Sequence, residues 1–329
     1  MAEYSIFQVS LDHLDSAAEL SKKVGGVDVH SSASAQSELP DAQVRYRGQS
    51  AKLAQKKVRR YRRQLITPRP TWTKVTSALV ELRLEAYPDH PLYHGGAAGV
   101  FKFSPTPSYT VQFEEFAMLV ELGDIDMMYA FARKHPLHVD ALLTVGEFLR
   151  ITSASDSLEL TERALYILEK CTLATNEAGV DLTSGNMRLP YDHFDNRRIH
   201  LALLRYIQCI SRNGCHRTAL EFSKILWSLD PLLDPMGVRV ICDALALQSE
   251  QYTWFDQAYA QICNECPWMA NWHYSNALRH RLAGQSELAI VLLQNAIIEA
   301  AWMVPRLAEA TGIALDEASW LDVFEIPEL

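Results

Sequence analysis

From Tyr109 onward the apolar positions recur at helical spacing. In LELTERALYILEKC, Leu160, Ala164, Ile167, Leu168 and Cys171 fall on one face. In RIHLALLRYIQCI the same holds for Ile199, Leu203, Tyr206, Ile207 and Ile210, and in RTALEFSKILWSL for Ala219, Phe222, Leu226 and Leu229. The last two runs are joined only by SRNGCH, so the pattern predicts two antiparallel helices, neither able to bury its stripe alone.

The hairpin pattern returns further along the chain. Gly214 sits in one predicted turn, with Ala219 five residues on and Pro231 seventeen on. Gly284 sits in another, with Ala289 at the same offset and Ala296 at plus twelve. The two glycines are 70 residues apart, twice 35, close to the ~34-residue period of tetratricopeptide-type units. A small residue at plus five lets the second helix approach the first. Gly123 is read as an earlier, degenerate copy, and TNEAGVDLTSGNMRLPYDHFDN interrupts the series. The expected fold class is all-α: an α-solenoid of tetratricopeptide-like hairpins with a largely irregular, basic N-terminal segment.

Upstream the pattern weakens. Residues 1–44 include GGVDVHSSASAQSEL, which has little to bury, and read as weakly ordered. Residues 45–67 read as a basic amphipathic helix, with Ala54, Val58, Tyr61 and Leu65 on one face until the prolines of TPRPTW stop it. Residues 68–108 read as a Pro/Gly-rich connector, with a short strand expected at Val100–Phe103. The helical repeat domain is expected over 109–304, and a C-terminal cap or tail over 305–329.

Charge sharpens this division. Residues 45–63 hold nine Lys or Arg and no acid, while the 329-residue chain carries a net charge of -9, so an acidic body bears one basic arm. Nine unopposed positive charges call for a partner. Phosphate backbone rewards such density, so Lys56, Lys57, Arg59, Arg60, Arg62 and Arg63 are candidate RNA or partner-binding residues. A nuclear import signal in KKVRRYRR and a solvated charged helix are the other two readings. No run approaches the ~20 apolar residues of a membrane span, and the N-terminus has no basic stretch before an apolar core. A soluble protein with no membrane partner is expected.

The candidate chemistry is thin. Cys215 and His216 are adjacent and would point about 100° apart on a helix, so they cannot jointly clasp one ion. Cys263 and Cys266 have C-x-x-C spacing with His273 seven residues on, but three ligands fall short of a closed zinc site. Two cysteines three apart on a helix simply share a face. The six cysteines of the chain are expected to be reduced and mostly packed. There is no phosphate loop, HExxH, GxSxG or kinase motif. The reading is a non-enzyme with no cofactor and no metal.

Several stretches in order, HPLHVDALLTVGEFLR, ELTERALYILEKC, GNMRLPYDHFDNRR and RNGCHRTALEFSKILWSLDPLLDPMG, resemble the central domain of the transcription factor 25 family. The block formed by Arg212, Gly214, Cys215, Arg217, Thr218, Ala219, Leu220 and Glu221 carries most of the likeness. The resemblance implies a non-catalytic adaptor of the ribosome quality control complex. Such an adaptor works beside a Listerin-type E3 ligase on stalled 60S subunits, touches ubiquitin, and favours the chain linkage that sends the trapped peptide to the proteasome. It also implies a monomer within a larger, ribosome-associated cytoplasmic complex, the basic arm contacting rRNA. The alternative is a nuclear transcriptional repressor or another helical-repeat scaffold. Arg188, Asn196, Arg197 and Arg217 belong to the matching motifs. They either bond helix ends across the interruption or present a partner surface, and the first is preferred because free backbone groups at helix termini need partners.

Overall fold

The computed structural model describes residues 6–23, 65–76, 79–91, 93, 98–174 and 180–313, and the basic run 45–63 lies outside them. The chain divides into two compact units, Met1–Met236 and Gly237–Leu329.

In the first unit a short helix, α1 (Ser16–Lys23), precedes a β-hairpin of β1 (Leu82–Ala86) and β2 (Gly99–Pro105). Helices α2 (Pro107–Leu122), α3 (Ile125–Lys134), α4 (Val139–Thr152) and α5 (Ala154–Ala174) follow. A two-residue strand β3 (Met187–Arg188) then leads into α6 (Arg197–Arg212) and α7 (His216–Leu229). β1 and β2 are antiparallel with Leu84 opposite Phe103, and β3 joins β2 in parallel with Val100 opposite Arg188. The fold is therefore predominantly α-helical rather than all-α. The strand expected at Val100–Phe103 is present. β1 was not expected, although its Leu82 and Leu84 alternate with Arg83 and Glu85 and are the buried pair. Five residues of alternation are too few to outweigh the helix formers around them.

Side-chain chemistry sets the helix boundaries. Thr106 caps α2 by accepting the N–H of Tyr109 at 3.3 Å, Pro107 stands in the first turn, and Gly123 ends the helix at φ 69°. Asp124 then caps α3 through the N–H of Met127 at 3.0 Å. β1 packs on α5, and α4 pairs with α5 and α6 with α7. The predicted stripe of α6 is buried in full, as is that of α7. Every residue of α7 from Thr218 to Leu229 is buried, including Glu221 and Lys224, so α7 runs through the middle of this unit.

Within the segment read as weakly ordered, the described residues 6–23 pack. Ile6, Phe7, Val9 and Leu14 are buried, and Phe7 meets Trp227 edge to face at 5.3 Å. The burial that stabilises residues 6–23 comes from α6 and α7, far along the chain.

The second unit holds α8 (Cys242–Gln248), α9 (Tyr252–Glu265), α10 (Ala270–Leu282), α11 (Ser286–Glu299) and α12 (Met303–Thr311). Phe255 and Trp272, both fully buried, stack at 5.3 Å, and the Trp272 indole donates to the Arg239 carbonyl at 2.7 Å. α10 and α11 pack closely, with Ala277, Ala289 and Ala296 buried.

What repeats is the turn. At Gly214 (φ 83°) the N–H groups of Asn213, Gly214 and Cys215 donate to Cys209, Ser211 and Ile210. At Gly284 (φ 80°) those of Ala283, Gly284 and Gln285 donate to Arg279, Arg281 and His280. The same three bonds recur around Glu250 (φ 56°), from Ser249, Glu250 and Gln251 to Leu245, Leu247 and Ala246. The left-handed residues stand 36 and 34 positions apart. The middle turn escaped the sequence reading because a glutamate occupies it, at a cost of about 1 kcal/mol relative to glycine. Gly123 shares the left-handed φ and donates to Val120.

Candidate interaction site

The segment that interrupts the helices crosses the first unit and fastens three elements together. Arg188, 5% exposed, donates from Nη1 to the carbonyls of Gly185 (2.7 Å), Met187 (3.1 Å) and Ser228 (2.8 Å). Ser228 lies in the last turn of α7, where carbonyls lack intrahelical donors and a cation meets the negative end of the helix dipole. Leu189 N–H satisfies the next carbonyl, that of Leu229, at 2.9 Å. Just beyond, Asp230 accepts the Tyr191 N–H at 3.0 Å and the Tyr93 hydroxyl.

Asn196 works on the other side. Its Oδ1 accepts the N–H of Phe103 at 2.9 Å, and its Nδ2 donates to the carbonyls of Phe101 (3.3 Å) and Pro190 (2.9 Å). One fully buried amide thereby extends the pairing of β2 past the short β3. Arg197 is half-buried, donates to the Tyr191 carbonyl at 3.1 Å and lies over the Tyr191 ring at 5.0 Å.

Its neighbour Arg198 is the more deeply held. It pairs with Asp140 at 2.7 Å and with Asp195, and lies over the rings of Tyr109 (5.3 Å) and Phe113 (5.4 Å). Burial opposes its charge, but Asp140 and Asp195 outweigh that cost and hold it above its ordinary range. Tyr109, which donates to Asp140 at 2.8 Å, is raised by burial and by that carboxylate. His138 stacks on Tyr109 at 4.6 Å and caps α4 by accepting the Ala141 N–H on Nδ1 at 3.1 Å. The sequence reading missed Arg198. In DNRR nothing local says which arginine turns inward.

Arg217 lies at the opposite end of α7 and belongs to a different contact. The Glu19 carboxylate accepts the N–H groups of Arg217 (3.1 Å) and Thr218 (2.8 Å), and Lys23 donates to the Gly214 carbonyl. Cys215 donates to Ser16 O at 3.4 Å, Ser10 N–H binds Glu221 at 2.8 Å, and the Arg217 guanidinium pairs with Glu221 at 3.0 Å. The turn that carries the motif block thus holds the chain's own N-terminal residues. Burial alone would raise Glu19, yet the Thr218 and Arg217 N–H groups outweigh it and hold the carboxyl below its ordinary value.

The structure brings the four candidate motif residues to two places, Arg188, Asn196 and Arg197 in the crossing segment and Arg217 at the hairpin turn. Lys56, Lys57, Arg59, Arg60, Arg62 and Arg63 lie outside the described residues. The chain just after them is tied to α5. Leu65 N–H binds Glu169 at 2.8 Å, Arg69 pairs with Glu159 (2.6 Å) and Glu162 (3.0 Å), and the Trp72 indole donates to Glu159 at 3.1 Å. Burial pushes Glu169 up to about 7.

Cys263, Cys266 and His273 do not form a ligand cluster, and no group of three or more His, Cys, Asp or Glu among the described residues could hold a metal ion. His273 meets Tyr259 through Nδ1 at 3.2 Å and the Pro267 carbonyl through Nε2 at 2.8 Å. Cys215 is buried beside a half-buried His216. Burial pushes the Cys171 thiol up to about 12 and also raises Cys209, Cys215 and Cys263, which keeps these thiols protonated. No described helix is long and apolar enough to cross a membrane.

Residues 101–325, which include all four motif positions, match the sequence profile of a family described as "Transcriptional repressor TCF25". The chain belongs to the TCF25 family. The human "Ribosome quality control complex subunit TCF25" is 30% identical over 230 residues, covering 68% of this chain and 32% of that protein. "Ribosome quality control complex subunit 1" of Saccharomyces cerevisiae is 39% identical over 120 residues, 36% of this chain and 16% of the relative. The Schizosaccharomyces pombe protein of the same name is 27% identical over 266 residues, 80% of this chain and 39% of the relative. The chain spans well under half the length of each of these. No solved structure matches. Through these relatives the TCF25 family is linked to ribosome quality control.

Proposed function

We propose that this chain is an adaptor of cytoplasmic ribosome quality control that acts with a Listerin-type E3 ubiquitin ligase on stalled 60S subunits. In this reading it touches ubiquitin and promotes the polyubiquitination that sends the trapped nascent chain to the proteasome. The observation that carries the proposal is the family match over residues 101–325, together with relatives named as subunits of that complex.

The geometry is compatible with an adaptor. The recurring left-handed turns at 214, 250 and 284 support a tetratricopeptide-like solenoid, an architecture that offers extended surfaces to other proteins. Lys56, Lys57, Arg59, Arg60, Arg62 and Arg63 would contact rRNA, and residues 65–72, next in sequence, are anchored on α5. Arg188, Asn196 and Arg197 would act as positioning residues behind the partner surface, because their polar atoms meet backbone of the same unit.

Affinity purification of the wild-type chain and of a variant with Arg59, Arg60, Arg62 and Arg63 neutralised tests the proposal. Wild-type protein should recover 60S proteins and the ligase, and the variant should lose 60S particles with a reduced salt dependence. Recovery of neither partner with wild-type protein would end this reading. The family's description as a transcriptional repressor favours one alternative, a nuclear role. In that case the same variant would lose nuclear entry while ribosome association stayed unchanged.

A further inference from the structure

Helix α2 is apolar on two opposite sides. Tyr109 and Phe116 face inward and are 1% and 3% exposed. Val111, Met118 and Leu122 stand at i, i+7 and i+11 on the opposite side and are 64%, 64% and 76% exposed. That spacing draws one straight stripe over about three turns, ~16 Å long. A helix with an apolar face on two opposite sides normally has a neighbour on each. Helical arrays that end in solvent finish with a polar outer face, and α2, the first helix of its series, does not. The stripe is also too regular to be the scattered surface leucines any protein shows.

Its edges are acidic. Glu114 and Glu121 border the stripe on one side and Glu115 on the other, all exposed, and α2 contains no Lys or Arg. Glu115 has a loose pair in Lys134 at 3.6 Å. Across the Gly123 turn, Asp124 and Asp126 continue the negative charge beside the exposed Ile125. An apolar stripe between carboxylates has one complementary ligand, a helix with its own apolar stripe bordered by Lys or Arg. A neutral or acidic helix would bury the same area but leave the glutamates facing like charge or losing water.

We infer that the Val111–Met118–Leu122 face of α2 docks a basic amphipathic helix, about three turns long, supplied by a partner protein. The apolar contacts supply the affinity. The carboxylates select the partner and speed its approach, so binding weakens with salt. This inference does not depend on the ribosomal reading, because it concerns only the chemistry of the exposed face.

Two measurements on the full chain test it. In the first, a synthetic Leu/Lys amphipathic helix and a Leu/Glu counterpart of equal length are titrated against the wild-type chain, followed by fluorescence anisotropy. A triple variant, Val111→Ser, Met118→Ser and Leu122→Ser, keeps the net charge of the protein and alters only exposed side chains. The Leu/Lys helix should bind the wild type at least about tenfold more tightly than either the triple variant or the Leu/Glu helix binds. The double variant Glu114→Gln, Glu121→Gln should weaken binding and flatten its salt dependence while leaving the stripe intact. Equal binding of the Leu/Lys helix to wild type and triple variant, or equal binding of both helices, overturns the inference. In the second, a benzophenone amino acid replaces Met118 in cells, and the cross-linked peptide is sequenced by mass spectrometry. A partner peptide with an apolar stripe flanked by Lys or Arg supports the inference. A cross-link to an acidic or non-helical segment, to a second copy, to another part of the same chain, or to nothing, overturns it.

Discussion

The Glu19 carboxylate accepts the backbone N–H of Thr218 at 2.8 Å, across 199 positions of sequence. It is a helix cap delivered from outside, satisfying the first turn of α7 where the chain itself offers only Cys215 as the preceding residue, without a side-chain cap bond. Its Arg217 bond makes the cap bidentate in effect, and α7 is buried from Thr218 to Leu229, so water is a poor substitute.

Replacing Glu19 with Ala should therefore destabilise the first unit by about 1–2 kcal/mol, the loss expected for a cap with a favourable helix dipole. Glu19 is held below its ordinary value, so its contribution is present above the unfolded pKa and lost as pH falls through the folded one. Hydrogen exchange should also report faster exchange at Arg217 and Thr218. Unchanged exchange at those two amides would show that the cap is dispensable.

His138 gives a second pH signature. Burial pushes it down to about 4 from an ordinary 6.5, consistent with a neutral ring accepting the Ala141 N–H. Between those values the unfolded chain binds a proton that the folded chain refuses. Its stabilisation is complete above pH 6.5 and is lost as pH falls towards 4. Glu169, raised to about 7, acts in the opposite sense, holding in the folded state a proton that the unfolded chain releases. Comparison with His138→Asn, which keeps a capping acceptor, separates the two. Wild type should lose about 3 kcal/mol relative to the variant across this range, measured by urea unfolding at several pH values. Parallel profiles would place His138 in a different protonation state.

Asn196 bonds three backbone groups through one amide, so its isostere is informative. Asn196→Asp keeps the acceptor for Phe103 N–H but turns a carboxylate towards the carbonyls of Phe101 and Pro190. The loss should be about 2–4 kcal/mol at neutral pH and smaller in acid, where a protonated carboxyl can donate again. A pH-independent loss would mean that the donors of Asn196 matter little.

Ala219 is fully buried in the second helix of the α6–α7 hairpin. Ala219→Leu should overpack that contact and cost about 1–3 kcal/mol, seen as a lower thermal midpoint. The exposed Ala283, preceding Gly284 in the α10–α11 turn, should accept the same change almost freely.

The helical course of the chain from Tyr109 onward, the buried stripes of α6 and α7 and the turns at Gly214 and Gly284 were legible in the sequence, because each depends on periodicity or on one residue's backbone freedom. The turn at Glu250 was hidden, since the backbone hydrogen bonds that close it hold a glutamate in the conformation that glycine adopts freely. β1 was hidden too, because five alternating residues become a strand only once β2 is beside them and α5 beneath. Which of Arg197 and Arg198 turns inward, and which acid caps α7, could not be read at all. Those choices rest on Asp140 meeting Arg198 and Glu19 meeting Thr218, and a charge has a buried partner only after distant segments have come together. Local spacing determined the helices of this protein. The three-dimensional meeting of distant charges decided how their ends are satisfied.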